Sequence, residues 1–351
     1  MRILIAEDDE ALARFVRQGL EGEHYAVDVF PDGEQARAAA TEFEYDVVIL
    51  DLNLPKLDGV SVLRHLRSKK PSVPVLVLTQ RTRVEDRVQC LDTGADDYVP
   101  KQLSAASLDI LHIRSDLVVK IRAAAHSRKS PDAAAVPAKK PPQSSQPESR
   151  SPGSLAAPAI VALGTSTGGP KALQEILPLF PPDLSVPILI VQHMPAGFTA
   201  PFAQRLNSLC SIAVREATHR EPIEPGVAYI APSGTHMSVK RLSDSRAILC
   251  LDAQPDNALH IPSVNVLMNS VAESYKSLAL GVIMTGMGSD GAEGMNAIHR
   301  HGGLTIGQDQ ATCTVYGMPR ACAEMGILSR VVPLSQIPAQ ILLATRYRKR
   351  A

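Results

Sequence analysis

The stretch VALGTSTGGP, from Val161 to Pro170, predicts a strand, a tight turn and the start of a helix. An apolar run that begins near Ala159 ends in small residues and glycines, and the segment from Lys171 onward has helical spacing. A serine at such a corner is held clear of neighbouring side chains, and the free N–H groups of the helix start face the same space. Ser166 is therefore a candidate nucleophile, although turns of this composition also bind phosphate or simply permit close packing.

The composition favours an intracellular protein of two domains. At 351 residues the chain is long enough for two, and its 36 acidic and 36 basic residues balance, so overall charge points to neither nucleic acid nor an anionic membrane as a partner. Its five cysteines form no C-x-x-C pair, which favours reduced, buried thiols over a disulfide framework. The N-terminus has no secretory pattern and no stretch of about 18 apolar residues occurs, so we expect a cytoplasmic protein without membrane insertion.

The first hundred residues alternate short apolar runs with helical patterns. Strands are predicted at 3–6, 26–30, 47–50, 75–78 and 98–99, and helices at 11–20, 33–41, 60–67 and 84–91. Five strands that alternate with helices predict an α/β fold with a doubly wound, five-stranded parallel sheet. Ligands bind such sheets beyond the carboxyl ends of the strands, so the residues that follow each strand decide the chemistry.

Charged and hydroxyl side chains follow four of these strands: Glu7 and Asp8 the first, Asp51 the third, Thr79 the fourth and Lys101 the fifth. Carboxylates gathered at one sheet edge repel one another and resist ionisation unless a cation lies among them. A hard divalent ion with oxygen ligands, above all Mg²⁺, meets that need. Lysine and threonine beside it suit a phosphoryl group carried by a carboxylate. Taken singly, each of these residues can equally be a solvated surface group or a turn former.

This set, together with the segment DLNLPKLDG at 51–59, resembles the receiver domain of bacterial response regulators. The resemblance covers roughly residues 1–103. It implies that a histidine kinase supplies the phosphoryl group to Asp51. It also implies that Mg²⁺ is held by Glu7, Asp8, Asp51 and the carbonyl of Asn53.

The same resemblance implies that Thr79 and Lys101 contact the phosphoryl group and that Tyr98 is the switch aromatic. One position departs from the receiver pattern, because Gln102 stands where a proline usually follows the lysine. Without proline there is no strong reason for a cis peptide bond, so we expect an altered loop at this point.

Composition also divides the chain. The segment DLVVKIRAAA at 116–125 has one apolar and one basic helical face, which suits the last helix of the first domain. Pro, Ala, Ser, Lys and Gln then dominate without apolar periodicity, which predicts a flexible linker. We therefore predict a receiver domain at 1–125, a linker at 126–157 and a catalytic domain at 158–346. The basic residues of the linker could contact an acidic partner, but a solvated tether is the simpler interpretation.

Three polar residues follow apolar runs in the second half. Ser166 follows the first run, His193 follows a run at 186–191, and Asp290 lies in the glycine-rich loop after a run at 280–284. These types suit acyl transfer, in which Ser166 attacks, His193 takes the proton and Asp290 orients the imidazole. No metal or other cofactor is needed for the esterase step.

Other roles are open for the histidine and the aspartate on spacing alone. His193 can be a structural histidine, and Asp290 can cap the helix that follows it. In the common α/β-hydrolase order the base follows the acid, which favours His299 or His301. The other competitors for the base are His219, His236 and His260.

Six segments resemble the chemotaxis protein-glutamate methylesterases, over roughly residues 158–335. They are GTSTGGP (164–170), VQHMP (191–195), GVAYIAP (226–232), PSVNVL (262–267), MTGMGSDGAEG (284–294) and VYGMPR (315–320). The resemblance implies an α/β hydrolytic domain with a mostly parallel sheet, and the order Ser166, His193, Asp290 matches that family. It further implies an oxyanion region at Met287 and Thr167.

The activity implied by this resemblance is hydrolysis of glutamyl methyl esters on the cytoplasmic domains of methyl-accepting chemoreceptors, with deamidation of certain receptor glutamines. A receiver, a linker and a hydrolase in this order is also the usual arrangement of the family, which implies regulation by phosphorylation. No nucleic acid partner is expected.

Rival classes of function lack the sequence features they require. A dinucleotide-binding oxidoreductase needs a G-x-G-x-x-G turn, which residues 164–169 do not contain. A DNA-binding response regulator carries a small basic module, whereas the second half is long, rich in predicted strands and not notably basic. A scaffold that keeps the hydrolase fold without catalytic activity is the remaining alternative.

Overall fold

The N-terminal sheet of the computed structural model has five strands. They are β1 (Arg2–Ala6), β2 (Ala26–Phe30), β3 (Val47–Leu50), β4 (Val75–Thr79) and β5 (Asp97–Pro100). Their order is β2-β1-β3-β4-β5, and every neighbouring pair is parallel. The predicted doubly wound, five-stranded parallel sheet is therefore confirmed.

The structure describes residues 1–71, 73–79, 90, 93–101, 121, 157–194, 197–243, 246–254 and 260–347. Several predicted features lie wholly or almost wholly outside these residues. They are the helices predicted at 84–91 and 116–125, the position of Gln102, and the linker predicted at 126–157.

Three helices accompany the N-terminal sheet: α1 (Glu10–Glu21), α2 (Gly33–Glu42) and α3 (Gly59–Lys69). Each begins after an aspartate, Asp9, Asp32 or Asp58, whose carboxylate accepts hydrogen bonds from N–H groups of the first turn. Such caps stabilise a helix by about 1 kcal/mol, because the first N–H groups have no partner within the helix. The three predicted helices agree with these bounds to within two residues at each end.

The C-terminal sheet has seven strands in the order β14-β13-β12-β6-β7-β9-β8, and all its pairs are parallel. Its strands are β6 (Ile160–Thr165), β7 (Ile188–Gln192), β8 (Ala213–Glu216), β9 (Val227–Ile230), β12 (Ala279–Ile283), β13 (Leu304–Gln308) and β14 (Arg330–Val332). An antiparallel hairpin of β10 (His236–Ser243) and β11 (Arg246–Asp252) forms a separate small sheet. The predicted mostly parallel sheet is confirmed.

Helices and short 3-10 turns cover this second sheet. The helices are α4 (Gly169–Ile176), α5 (Thr199–Leu209), α6 (Val264–Tyr275), α7 (Ala292–Arg300), α8 (Met318–Glu324) and α9 (Ile337–Ala344). The 3-10 turns are Leu177–Leu179, Lys276–Leu278 and Leu334–Gln336. No helix among the described residues is long and apolar enough to cross a bilayer.

Strand β6 lies at the centre of the second sheet, between β12 and β7. Its apolar side chains Ile160, Val161 and Leu163 are completely buried, and burial of each contributes about 1.5–3 kcal/mol to stability. The chain leaves β6 toward β7 and leaves β12 toward β13, on the opposite side. The carboxyl ends of β6 and β12 therefore form a switch point, which is where open parallel sheets bind ligands.

Candidate active site and receiver site

Ser166 lies in the tight turn between β6 and α4. Its N–H donates to the carbonyl of Thr285 (3.0 Å) after β12, and its carbonyl accepts from the N–H of Gly169 (2.8 Å). Gly168 has a φ of +77°, a conformation that favours glycine, and a Cβ there would lie 2.4 Å from Thr314 Oγ1. The geometry of the turn therefore requires glycine at position 168, and Ser166 itself remains partly exposed.

His193 follows β7, directly beside that turn. Its N–H donates to the carbonyl of Thr165 (3.2 Å), the residue before Ser166. On the ring, Nε2 lies 2.9 Å from Asp290 Oδ2. The opposite ring nitrogen, Nδ1, is buried and has no hydrogen-bond partner among the described residues. A proton on Nε2 would satisfy the carboxylate and leave Nδ1 as an acceptor.

Asp290 receives hydrogen bonds from four donors. Besides the imidazole of His193, its carboxylate accepts from Ser263 Oγ (2.9 Å), Val264 N (2.7 Å) and Asn265 N (3.0 Å). Burial alone would raise the pKa of this carboxyl group, but the hydrogen bonds from His193 and from the two N–H groups lower the pKa to about 2. The carboxylate is therefore ionised at neutral pH and can stabilise a positive charge on the imidazole.

A helix start supplies part of that stabilisation, but it is not the helix predicted from spacing. Asp290 precedes α7, whose N-cap residue is Gly291. Its carboxylate instead contacts the first N–H groups of α6, the helix that begins at Val264. The positive end of a helix dipole favours a negative charge at that position.

The other five histidines of the C-terminal half fall into three environments. His260 stacks on His193, with ring centroids 4.1 Å apart and an interplanar angle of 22°. His299 and His301 are exposed at the end of α7 opposite to Asp290. The remaining two, His219 and His236, accept hydrogen bonds through Nδ1 from the N–H groups of Leu251 and Ser263.

Both residues of the expected oxyanion region lie beside Ser166 in sequence or in space. Thr167 is buried and its carbonyl accepts from Thr285 Oγ1 (2.9 Å). Met287 follows Gly286, where an added Cβ would lie 2.9 Å from the Cβ of Ser166. The loop after β12 thus approaches the serine closely.

A second polar cluster lies at the carboxyl edge of the N-terminal sheet. Glu7, Asp8 and Asp51 can each place one carboxylate oxygen so that the three lie within 4.8 Å of one another. Lys101 Nζ donates to Glu7 Oε1 (2.6 Å) and to Asp51 Oδ2 (2.8 Å), and these three side chains are almost completely buried. The sheet thus brings together four of the residues predicted for the receiver site.

The donor set of this cluster fits a hard divalent cation. Glu7 Oε2 is buried and has no hydrogen-bond partner among the described residues. Burial, with a further contribution from the charge of Asp51, raises the pKa of Glu7 to about 7, although Lys101 acts in the opposite direction. A bound Mg²⁺ would accept the free oxygen as a ligand and stabilise the ionised carboxylates.

The remaining receiver residues are placed by their backbones. Thr79 is the last residue of β4, and Tyr98 in β5 pairs with Val77 of β4. Their side chains lie outside the described part of the structure. Asn53 is exposed, two residues after Asp51.

Both halves of the chain match known families. Residues 161–341 match the family described as CheB methylesterase, and residues 3–111 match the response regulator receiver domain. The chain belongs to the CheB methylesterase family.

Two relatives match most of the chain, and one solved structure matches its C-terminal half. Protein-glutamate methylesterase/protein-glutamine glutaminase 2 of Nitratidesulfovibrio vulgaris is 40% identical over 335 residues, which cover 89% of each chain. The protein of the same function name from Lawsonia intracellularis is 38% identical over 98% of this chain and 99% of its own. The crystal structure of the Thermotoga maritima CheB methylesterase catalytic domain is 38% identical, with a TM-score of 0.52, over 54% of this chain and 99% of that chain.

Sequence reasoning missed two side chains that contact the candidate site of this CheB-family chain. On sequence alone His260 is only a competing base, and Gln192 is only one residue of the segment VQHMP. The N–H donors at 264 and 265 were also missed, although their segment PSVNVL belongs to the resemblance. A serine before an apolar helical run is a signal for a helix start, and a helix start attracts a carboxylate.

Proposed function

We propose that this chain hydrolyses glutamyl methyl esters on methyl-accepting chemoreceptors, deamidates specific receptor glutamines, and is controlled by phosphorylation of its own receiver domain. The observation that carries the proposal is the hydrogen bond between His193 Nε2 and Asp290 Oδ2 (2.9 Å) beside the Ser166 turn. The curated relatives carry names for the same two activities. The reaction takes place in the cytoplasm, where the modified receptor domains lie.

Ser166 is the nucleophile in this proposal, and His193 is its base. Nδ1 of His193 accepts the Ser166 hydroxyl proton while Oγ bonds to the ester carbonyl carbon. The proton then passes to the departing methoxy oxygen, and methanol leaves an acyl-enzyme on Ser166. Water then attacks the acyl carbon while His193 accepts a proton from it. The proton passes to Ser166 Oγ as the acyl bond breaks, which releases the free glutamyl carboxylate and restores the serine.

Asp290 acts through the histidine. Its hydrogen bond to Nε2 fixes the tautomer that leaves Nδ1 free to accept a proton. Its negative charge, held by the N–H groups of Val264 and Asn265, stabilises the imidazolium formed in the transition state. A glutamine side chain follows the same course, except that ammonia leaves in place of methanol.

The negative charge that develops on the ester carbonyl oxygen needs hydrogen-bond donors on the side of the site opposite to His193. The N–H groups of Thr167 and Met287 suit this role, since neither donates a hydrogen bond to another described residue. Loss of one such donor typically lowers kcat by about 10²–10³-fold.

In the receiver, Asp51 is the proposed phosphoryl acceptor. Glu7, Asp8, Asp51 and the carbonyl of Asn53 would hold Mg²⁺, which offsets the negative charge of the carboxylates and of the incoming phosphoryl group. The hydrogen bond from Lys101 to Asp51 Oδ2 supports a role for Lys101 in contacting a phosphoryl group there.

Thr79 and Tyr98 would carry the response to phosphorylation. A phosphoryl group on Asp51 adds negative charge and new hydrogen-bond acceptors at the strand ends. In this proposal Thr79 moves toward that group, and Tyr98 moves with it. The surface of the receiver changes as a result.

The two halves meet beside the hydrolase site. Lys171 Nζ, in the first turn of α4 after Ser166, lies 3.6 Å from Oδ1 of Asp96, the residue before β5. This contact supports a receiver that rests near the Ser166 turn. In this proposal, phosphorylation of Asp51 releases it. We propose domain bounds of 1–125 and 158–346, with a tether between them that keeps the receiver at high effective concentration.

The proposal is tested by measuring the two products that it predicts, methanol and ammonia. Methanol release is measured from membranes that carry methylated receptors, and ammonia release from receptors with glutamine at the same sites. Each assay is run with the wild-type chain and with the Ser166→Ala variant, both with and without acetyl phosphate and Mg²⁺. Release of both products by the wild type alone supports the proposal, whereas a folded wild-type chain that releases neither contradicts it.

A further inference from the structure

Gln192 joins the two loops that carry the nucleophile and the base. It is the last residue of β7 and is paired in the sheet with Thr165, the residue before Ser166. Only 2% of its surface is exposed. A long polar side chain buried at this point requires an explanation, because buried polar groups are unfavourable unless they are hydrogen-bonded.

The amide nitrogen of Gln192 uses both of its hydrogens. Nε2 donates to the backbone carbonyl of Ser166 (3.0 Å) and to that of His193 (2.9 Å). The Ser166 carbonyl also accepts from the N–H of Gly169 (2.8 Å), so the glutamine holds the turn at its tightest point. One side chain therefore fixes the backbones of both reacting residues relative to each other.

The contacts account for glutamine rather than a similar side chain. Two carbonyl oxygens require a group with two hydrogens, so the orientation of the amide is determined by its partners. Glutamate would place an oxygen against both carbonyls. The Oε1 atom of Gln192 has no hydrogen-bond partner among the described residues. It faces Gly169, where an added Cβ would lie 2.0 Å from it.

We propose that Gln192 is a positioning residue for the hydrolytic reaction, which holds Ser166 and His193 at the spacing that proton transfer requires. The inference rests on the serine and histidine chemistry proposed above. A displacement of about 1 Å between reacting groups can lower a rate by about 10²-fold. Loss of this link should therefore lower kcat and leave KM almost unchanged, since Gln192 is buried beneath the site.

A second buried glutamine provides the matched control. Gln308 is the last residue of β13, is completely buried, and uses both ends of its amide. Its Oε1 accepts from Thr285 N (2.8 Å), and its Nε2 donates to the Thr312 carbonyl (2.8 Å). It thus holds two other loops of the same sheet edge and contacts neither the Ser166 nor the His193 carbonyl.

The test compares Gln192→Met, Gln192→Glu and Gln308→Met in the full chain. Kinetic constants for methanol release are measured together with the rate of covalent labelling by a fluorophosphonate, which reacts with activated serines and needs no receptor. We expect Gln192→Met to lower both kcat and the labelling rate by about 10- to 100-fold, with KM within about twofold of wild type. Gln192→Glu should be at least as impaired, and Gln308→Met should lose less than about threefold.

Other outcomes separate this inference from the proposed function. If the wild type is labelled at Ser166 and Gln192→Met is labelled as fast as Gln308→Met, Gln192 is only structural and the inference is wrong. If the folded wild type is neither labelled nor active, the proposed function itself fails. Should Gln192→Met not fold, Gln192→Asn carries the same test, because it keeps the amide but is one methylene too short to reach both carbonyls.

Discussion

The two polar sites of this molecule occupy equivalent places in their sheets. Glu7 and Asp51 follow β1 and β3, and Ser166 and the Asp290 loop follow β6 and β12. Both pairs of strands are adjacent, and both continue to opposite sides of their sheet. The same architectural position therefore supports two different chemistries.

The difference lies in what surrounds the buried carboxylates. Asp290 accepts hydrogen bonds from an imidazole, a hydroxyl group and two N–H groups, and its pKa is lowered to about 2. Glu7 lies among other carboxylates with one oxygen unpaired, and burial raises its pKa to about 7. The donors around Asp290 satisfy its negative charge, whereas Lys101 leaves Glu7 Oε2 unpaired, and that free oxygen suits the receiver site to bind a cation.

The largest expected effect is on the hydrolase site alone and leaves the receiver site unchanged. Ser166→Ala should lower methanol release by about 10³-fold or more, because the acyl intermediate cannot form. Phosphorylation of Asp51, measured with radiolabelled acetyl phosphate and Mg²⁺, should be unchanged in the same variant. Wild-type esterase activity in a folded Ser166→Ala chain would contradict the assignment of the nucleophile.

Removal of the proposed base, His193, should have the next largest effect on the rate of hydrolysis. His193→Ala should lower the rate by at least about 10²-fold, since proton transfer by a positioned base contributes about 10²–10⁴-fold. His299→Ala and His301→Ala serve as controls and should change the rate by less than twofold, because both residues are exposed at the far end of α7. If instead His193→Ala retains activity while one of the controls loses it, the base has been misidentified.

His260 should contribute a smaller, pH-dependent effect through its stack on His193. Burial, together with the nearby His193, lowers the pKa of His260, and the charge of Asp290 acts in the opposite direction. We expect His260→Ala to lower kcat at neutral pH by about tenfold, because the ring that orients His193 is lost. His260→Phe keeps the aromatic stack and should retain most of the activity.

The His260→Phe variant also tests whether folding lowers the pKa of His260. The unfolded chain binds a proton at His260 more readily than the folded chain, so stability should fall as pH drops below about 6.5. Urea unfolding at pH 7 and pH 5 should show a smaller loss of free energy for His260→Phe, which has no proton to bind there. An equal loss in both proteins would show that His260 is not held in its neutral form.

The smallest expected effect links the two sites. A fragment from residue 158 onward should hydrolyse receptor esters about fivefold faster than the unphosphorylated full chain, because the receiver no longer rests beside the Ser166 turn. Acetyl phosphate with Mg²⁺ should raise the rate of the full chain toward that of the fragment. Asp51→Ala should prevent this rise without lowering the basal rate. Equal rates for fragment and full chain, with no response to acetyl phosphate, would exclude an inhibitory receiver.

Much of the architecture follows from local sequence signals. The strand at 160–165 was predicted from its apolar run and the turn after it from its glycines, because burial and backbone sterics act between near neighbours. The acidic residues after β1 and β3 were likewise predicted to meet, since parallel strands bring their carboxyl ends to one edge. The match to known methylesterase segments then selected His193 from six candidate histidines.

The sequence by itself determined the alternation of strands and helices, the tight turn at Ser166 and the order of the chemical groups along the chain. The tertiary structure decided which distant segments complete the site: the start of α6 binds Asp290 from about 25 positions away, and Gln192 reaches back to the Ser166 carbonyl. Local patterns record preferences of backbone and burial within a few residues. Contacts such as these depend on the order of strands in the sheet, which places β12 and β7 on either side of β6.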